Sequence, residues 1–312
     1  MFGFHSRKPQ LGLDITGSEV RLAAVAGSGA NAQVLFTASS ALPAGVMNET
    51  FSFPSVAEPA GLSEAIRELL SRPGVPRTRR VGVSLPDALF RVQGFEFDAL
   101  PSGEADRERL IRWRFERSSA FDVSDTLLRY QVVQQRSRGA MLLASIAKRA
   151  VVKQYEDLLL GLGLDPWTIG PASFHAVNLY VPALAAPGAG YAVIVVRAAS
   201  FVTMVVDQGL PRFYRFKEIK AGSPGEMRDR MVREIDDSLH FYMHMDRAQQ
   251  AEIGRIGLTG EVPDLDALAS RLGECSSVPI DLLSPSAVLA RRDGGELPAA
   301  LTAALGAGRM PA

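Results

Sequence analysis

An aspartate that closes an apolar run and opens a short polar turn is the arrangement in this sequence best placed to do chemistry. Leu11-Gly12-Leu13-Asp14-Ile15 leads into Thr16-Gly17-Ser18, and a second apolar run, Val20-Arg21-Leu22-Ala23-Ala24-Val25, follows. Backbone N–H groups in such a turn can cradle phosphate, and the carboxylate can order the water around a metal ion. The same residues also make an ordinary hairpin turn. Elsewhere, His240 and His244 stand four residues apart beside Asp236 and Asp237, a spacing that can hold a metal on one helical face. No Glu follows the first of them and no third ligand is legible, so they read as helix-surface residues. His5 and His175 have no legible partner. There is no Gly-x-Ser-x-Gly elbow to support a serine nucleophile. Cys275 is the only cysteine, which excludes an internal disulfide and a cysteine-cluster metal site, and points to a reducing cytosol.

Arg107, Arg109, Arg112, Arg114 and Arg117, with Trp113, form the most basic segment, followed by Arg77, Arg79 and Arg80. Glu104, Asp106, Glu108 and Glu116 interleave with the first group, the mark of a solvated, salt-laced helix rather than a nucleic-acid face. Lys+Arg and Asp+Glu are equal at 34 each, so no global field favours a polyanionic partner. No window reaches the about 20 apolar residues that a membrane helix needs. The first ten residues lack the apolar core of a signal peptide, and Met1-Phe2-Gly3-Phe4 is too short to anchor in a membrane.

The elements that must position Asp14 follow from periodicity. Strands are expected over 11–15, 20–25 and 33–38, then a long surface loop over 39–60. Leu62, Ala65, Ile66, Leu69 and Leu70 give the spacing of an amphipathic helix stopped before Pro73, and 81–85 reads as a buried strand. The middle changes character: strand 90–97, a charged helix over 104–118, strands 127–133 and 141–147, and a helix over 150–160. The first pattern then returns. Strands over 191–196, 201–206 and 213–219 precede a long helix from 224 to 245 with Met227, Met231, Ile235, Leu239 and Tyr242 on one side. A strand over 255–259 and a helix over 264–272 complete it. Three strands, a helix and a strand thus occur twice, which points to an internal duplication.

Two such halves resemble the actin-like (ribonuclease H-like) ATPase fold, in which the halves clasp a nucleotide. More specifically, the chain resembles the PilM family of type IV pilus assembly proteins, relatives of the cell-division protein FtsA. Gly12-Leu13-Asp14-Ile15 with Val20-Arg21-Leu22 is similar to the family's opening motif, and Ser84-Leu85-Pro86 to its Ser-Leu-Pro. Ile111-Arg112-Trp113, Phe121-Asp122-Val123 and Tyr130-Gln131-Val132 match in order, as do Leu142 to Ala147 and Leu160 to Leu164. Glu234 to Tyr242, Ile256 to Gly260 and Ala303 to Gly306 complete the likeness, which runs almost end to end. The resemblance implies an α/β duplicated fold. Residues 1–85 would form the first half, closed by a C-terminal helix over 296–306. Residues 86–165 would be a small inserted α+β subdomain, and 166–295 the second half.

The resemblance also implies a nucleotide pocket lined by Asp14, Thr16, Gly17, Ser18, Arg197, Ser200 and Gly260. Several of these positions depart from the family pattern. In the second turn the family's Asp and Gly fall on Val195 and Arg197, so the oxygen that would organise Mg²⁺ water and the bare backbone are both missing. Arg197 can instead offer a guanidinium to phosphate. Thr16 replaces a glycine, and Gly260-Glu261 replaces Gly-Gly. ATP with Mg²⁺ is the implied cofactor, and its hydrolysis is expected to be lost. The expected function is a cytoplasmic scaffold, peripheral to the inner membrane. It would dock the cytoplasmic N-terminal tail of a PilN-like inner-membrane partner and contact other pilus assembly platform proteins. Self-association is a further expectation. The alternatives are an actin-like ATPase or polymer-forming protein, and a soluble homologue of a type II secretion cytoplasmic domain.

Overall fold

Six consecutive buried residues make β1 (Gln10–Ile15), the central strand of the first sheet. This computed structural model describes residues 9–27, 31–118, 122–135, 139–184, 189–220, 223–245, 252–262 and 264–309 of the 312. A tight turn joins β1 to β2 (Glu19–Ala26), and β3 (Gln33–Ala41) continues the antiparallel meander. Helix α1 (Pro59–Ser71) buries Leu62, Ala65, Ile66 and Leu69, the stripe its spacing predicts. It returns the chain to β4 (Arg80–Leu85), parallel to β1.

The chain then leaves this sheet for β5 (Phe90–Phe97), α2 (Glu104–Ser118), β6 (Thr126–Gln135) and β7 (Ala140–Lys148), a three-stranded antiparallel sheet in the order β5-β7-β6. Helix α2 covers it with Ile111 and Phe115, the latter edge-on to Phe95 at 4.9 Å between ring centroids. Next come α3 (Arg149–Gly161), β8 (Asp165–Pro171), parallel to β4, and α4 (Ala172–Leu184).

A second copy follows. It comprises β9 (Gly190–Arg197), β10 (Ser200–Asp207), β11 (Leu210–Glu218), α5 (Pro224–Met243), β12 (Ile253–Gly260), α6 (Leu265–Cys275) and β13 (Ile280–Leu282). A two-residue strand, β14 (Ala290–Arg291), extends the first sheet beside β3, and α7 (Thr302–Gly308) ends the described chain. The sheets run β14-β3-β2-β1-β4-β8 and β11-β10-β9-β12-β13. In each, an antiparallel meander gives way to two parallel strands on the other side of its first strand. This is the duplication expected from the sequence.

The chain divides into two compact units. The first runs to Leu89 and adds Ala150–Leu184 and the chain from Leu283; the second is Phe90–Arg149 with Ala185–Leu282. Helix α3, strand β8 and helix α4 therefore lie with the first half-fold. Asp87 shows why α4 starts where it does: its carboxylate accepts from the Ser173 N–H at 3.2 Å and from the Ser173 hydroxyl, which satisfies donors at the helix N-terminus.

In the first unit, α7 packs on β1, β4 and α4 at backbone distance. A Cβ added at Gly82 would lie 2.0 Å from the Ala307 carbonyl, and one at Gly306 would lie 1.9 Å from that of His175. In the second unit, Met231, Ile235, Leu239 and Tyr242 of α5 pack on Ala192, Ile194 and Val196 of β9. Among the described residues no helix is long and apolar enough to cross a membrane.

Candidate functional site

Asp14 is the last carboxylate before the first turn, and the β1–β2 register sets it opposite Arg21. It is 0% exposed, and Arg21 Nη1 donates to its Oδ2 at 2.9 Å with only 4% of the arginine side chain exposed. The same guanidinium reaches the Glu19 carboxylate, so one buried cation stands between two carboxylates. On the neighbouring strand, Ser84 donates its hydroxyl proton to the Ala303 carbonyl at 3.0 Å. It must then accept from His175, whose Nδ1 lies 2.8 Å away. Burial pushes the His175 pKa down to about 4, against a weaker upward pull from the Asp14 charge. The imidazole, which had no legible partner in the sequence, is thus a neutral core group that ties β4 to α4.

The turn after β1 spends most of its own donors. The Thr16 hydroxyl donates to the Glu19 carbonyl at 2.9 Å and accepts from the Glu19 N–H at 3.0 Å, with the Ser18 N–H more distant at 3.4 Å. The Gly17 N–H points outward, and a carboxylate meets it: Glu49 Oε1 lies 2.6 Å away. A Cβ at Gly17 would stand 3.1 Å from Glu49 Cδ, a tight contact that a shift of a few tenths of an ångström in the Glu49 side chain would relieve.

Glu49 arrives on the segment 42–58, within the long loop expected over 39–60, and hydrogen bonds tie this loop down as a tongue. Met47 and Val56 bridge across it, and the Asn48 N–H donates to the Ser55 carbonyl at 2.7 Å. Helix α3 pins its far side. Gln154 Oε1 accepts from the N–H groups of Ser55 and Val56 at 3.1 and 3.0 Å, Gln154 Nε2 donates to the Val56 carbonyl, and Ser55 shares a 2.7 Å hydrogen bond with Tyr155. Burial holds the Tyr155 phenol well above its usual range, and the Glu49 charge adds to that.

In the second unit, β9 ends on Arg197 and its parallel neighbour β12 ends on Gly260. Gly260 has φ +139°, and a Cβ there would lie 1.9 Å from the Val196 carbonyl, which leaves room for glycine alone. Glu261 follows and donates its N–H to that same carbonyl at 3.0 Å. Its side chain turns to Arg197: Nη1 to Oε1 is 2.7 Å, with 17% and 20% of the two side chains exposed. Arg197 and Glu261 therefore form one ion pair at the ends of β9 and β12. Ser200 sits opposite Arg197 in the β9–β10 ladder, across the Ala198-Ala199 turn, and Val195 is buried next to them.

The remaining sequence candidates are placed as follows. His240 Nδ1 lies 3.1 Å from the Asp236 carbonyl and 3.3 Å from its carboxylate, and His244 Nδ1 lies 2.7 Å from the His240 carbonyl. Among the described residues no group of three or more His, Cys, Asp or Glu side chains could hold a metal. His5 and the apolar stretch Met1-Phe2-Gly3-Phe4 lie outside the described residues. The arginines of α2 have local duties. Arg112 ties the helix to Val123 and Thr126, Arg114 lies over Phe95 and Phe97, and Arg117 lies over Trp113.

A magnesium nucleotide needs a carboxylate that faces water and donors not already claimed by stronger partners. Asp14 is sealed from water and bound to Arg21, the Gly17 N–H is bound to Glu49, and Arg197 is bound to Glu261. The residues present do not fit that ligand. Arg21 and Glu49 were not singled out from the sequence. The Asp14–Arg21 register comes from a four-residue loop over 16–19, whereas a turn centred on Thr16-Gly17-Ser18 would set Val20 there, and no local signal points to Glu49.

No protein-family model matches the chain, and no curated protein matches it by sequence. Solved structures do. The chain is similar to a PilM-PilN type IV pilus biogenesis complex, with 22% identity and a TM-score of 0.80 over 97% of this chain and 99% of that one. It is also similar to a Bacteroides thetaiotaomicron protein with actin-like ATPase fold and unknown function, at 10% identity and a TM-score of 0.52 over 93% and 95% of the two chains. The ethanolamine utilization protein EutJ from Carboxydothermus hydrogenoformans matches at 10% identity and 0.53 over 96% and 89%. Together with the duplicated sheets, these likenesses show that the chain has an actin-like fold.

Proposed function

We propose that this chain is a docking scaffold of a type IV pilus assembly machine. It receives the cytoplasmic N-terminal tail of a PilN-like inner-membrane partner and hydrolyses no ATP. The observation that carries the docking role is the end-to-end likeness, at a TM-score of 0.80, to a PilM-PilN biogenesis complex. The non-catalytic role is supported by the internal pairing of Asp14 with Arg21, Gly17 with Glu49 and Arg197 with Glu261. Phosphoryl transfer depends almost wholly on positioning and metal electrostatics, so a chain that neutralises its own phosphate-facing groups has little to offer it. In this reading the protein works in the cytoplasm and is held at the inner membrane by its partner. A short extended tail supplies affinity through backbone pairing and a few side-chain pockets, and becomes ordered as it binds.

The test is a pull-down with the purified full chain against the N-terminal tails of the membrane proteins encoded beside it, supplied as peptides. Retention of one tail, and its loss on scrambling, is expected. Failure to retain any of them overturns the docking reading.

A further inference from the structure

Strands β1 and β9 hold equivalent places in the two sheets, each flanked by an antiparallel and a parallel neighbour. Ligands of open α/β sheets bind outside the carboxyl ends of parallel strands. At that end of β1 the Gly17 N–H meets the Glu49 carboxylate at 2.6 Å. At that end of β9 the Arg197 guanidinium meets the Glu261 carboxylate at 2.7 Å. Neither acid is a chain neighbour of the donor it meets: Glu49 lies 32 positions beyond Gly17, and Glu261 lies 64 beyond Arg197. We propose that Glu49 and Glu261 are intramolecular stand-ins for phosphate, one in each half, so that the protein keeps two phosphate-class anion sites filled with its own carboxylates.

The chemistry suits both partners. A backbone N–H at a glycine and a guanidinium are the two donor types that recognise phosphate most readily, and a carboxylate is the side chain that mimics its charge and acceptor oxygens. The Gly17 contact lies at the surface, where an outside anion can reach it. A tethered carboxylate acts at an effective concentration set by its tether, so dilute phosphate in solution does not displace it. Removing the tethered group should uncover the site. This inference does not rest on the pilus reading, because its probe is phosphate alone.

Inorganic phosphate is titrated into the full chain at constant ionic strength, with binding read by calorimetry and by the Gly17 amide resonance. The wild type is expected to bind phosphate only weakly, and Glu261→Ala to bind at least about tenfold more tightly. Adding Arg197→Ala to that variant should return it to the wild-type curve. Glu261→Gln keeps the side-chain size and the backbone bond to Val196, and serves if the alanine variant does not fold. In Glu49→Ala the Gly17 amide should shift saturably with phosphate, whereas in the wild type it should stay fixed. A Glu261 variant within about threefold of wild type overturns the proposal, as does a gain that survives loss of Arg197 or a Gly17 amide unmoved in Glu49→Ala.

Discussion

Arg21 faces Asp14 across the β1–β2 ladder, and its guanidinium meets the carboxylate at 2.9 Å with both side chains out of water. The aspartate that looks most like a metal organiser is therefore a structural counter-ion. Removing one partner of such a pair leaves an uncompensated buried charge. Arg21→Met should cost about 3–5 kcal/mol of stability, and the double replacement Asp14→Leu with Arg21→Met clearly less than the sum of the singles. Urea unfolding of the four proteins measures this. Additive losses would show that the two side chains do not act as a pair.

The contact of α7 with the sheet leaves no space for side chains. Gly306→Ala and Gly82→Ala, whose Cβ atoms would stand 1.9 and 2.0 Å from backbone carbonyls, are expected to cost about 1–3 kcal/mol or more each. Gly161→Ala, at the end of α3 with nothing within 4 Å, should be neutral or stabilising by up to about 1 kcal/mol. Thermal midpoints of the three variants give the contrast.

Much of this architecture is legible in the sequence. Alternation and apolar runs give the meander twice, and the 3, 4 spacing of Leu62, Ala65, Ile66 and Leu69 gives α1. Helix α2 runs Glu104–Ser118 as expected, because its charges mark a solvated helix from end to end. Strand β8 is not legible. Its Asp-Pro-Trp-Thr-Ile-Gly-Pro sequence carries a proline near each end and only two apolar side chains between them, Trp167 and Ile169, and its place beside β4 comes from parallel pairing. Helix α4 contains Pro182 and is apolar on most sides, so it shows no helical stripe. The site divides the same way. Asp14 and Gly17 can be marked from local pattern, and Arg197 and Gly260 only through the family resemblance, but the carboxylates that meet Gly17 and Arg197 come from elsewhere in the chain.

His175 gives the protein an acid-sensitive core. Its folded pKa of about 4 lies below the ordinary 6.5, so the unfolded chain binds the proton more readily between those values. Stability therefore rises with pH across that window and is lost as pH falls from 6.5 towards 4, by up to roughly 3 kcal/mol. His175→Asn, which can still offer an N–H to Ser84, should flatten that slope. Urea midpoints at pH 4.5, 5.5 and 7 decide it; an unchanged slope would assign the acid sensitivity elsewhere.

The tongue over 42–58 should open by itself. Gln154 makes three hydrogen bonds to Ser55 and Val56, and Tyr155 makes one to Ser55. Tyr155→Phe is expected to cost about 1 kcal/mol. Gln154→Ala should raise amide exchange over 46–57 well above the wild-type rate, while exchange in β1 and β4 stays slow. Uniform acceleration across the first unit would show that the tongue is part of the global fold instead.

The most direct measurement of the central claim is a calorimetric titration of the full chain with the partner's N-terminal tail peptide, run with and without Mg-ATP while phosphate release is followed. The account predicts saturable tail binding with the same affinity in both conditions, and no phosphate released. Tail binding that requires Mg-ATP, turnover of ATP, or no tail binding in either condition would contradict it.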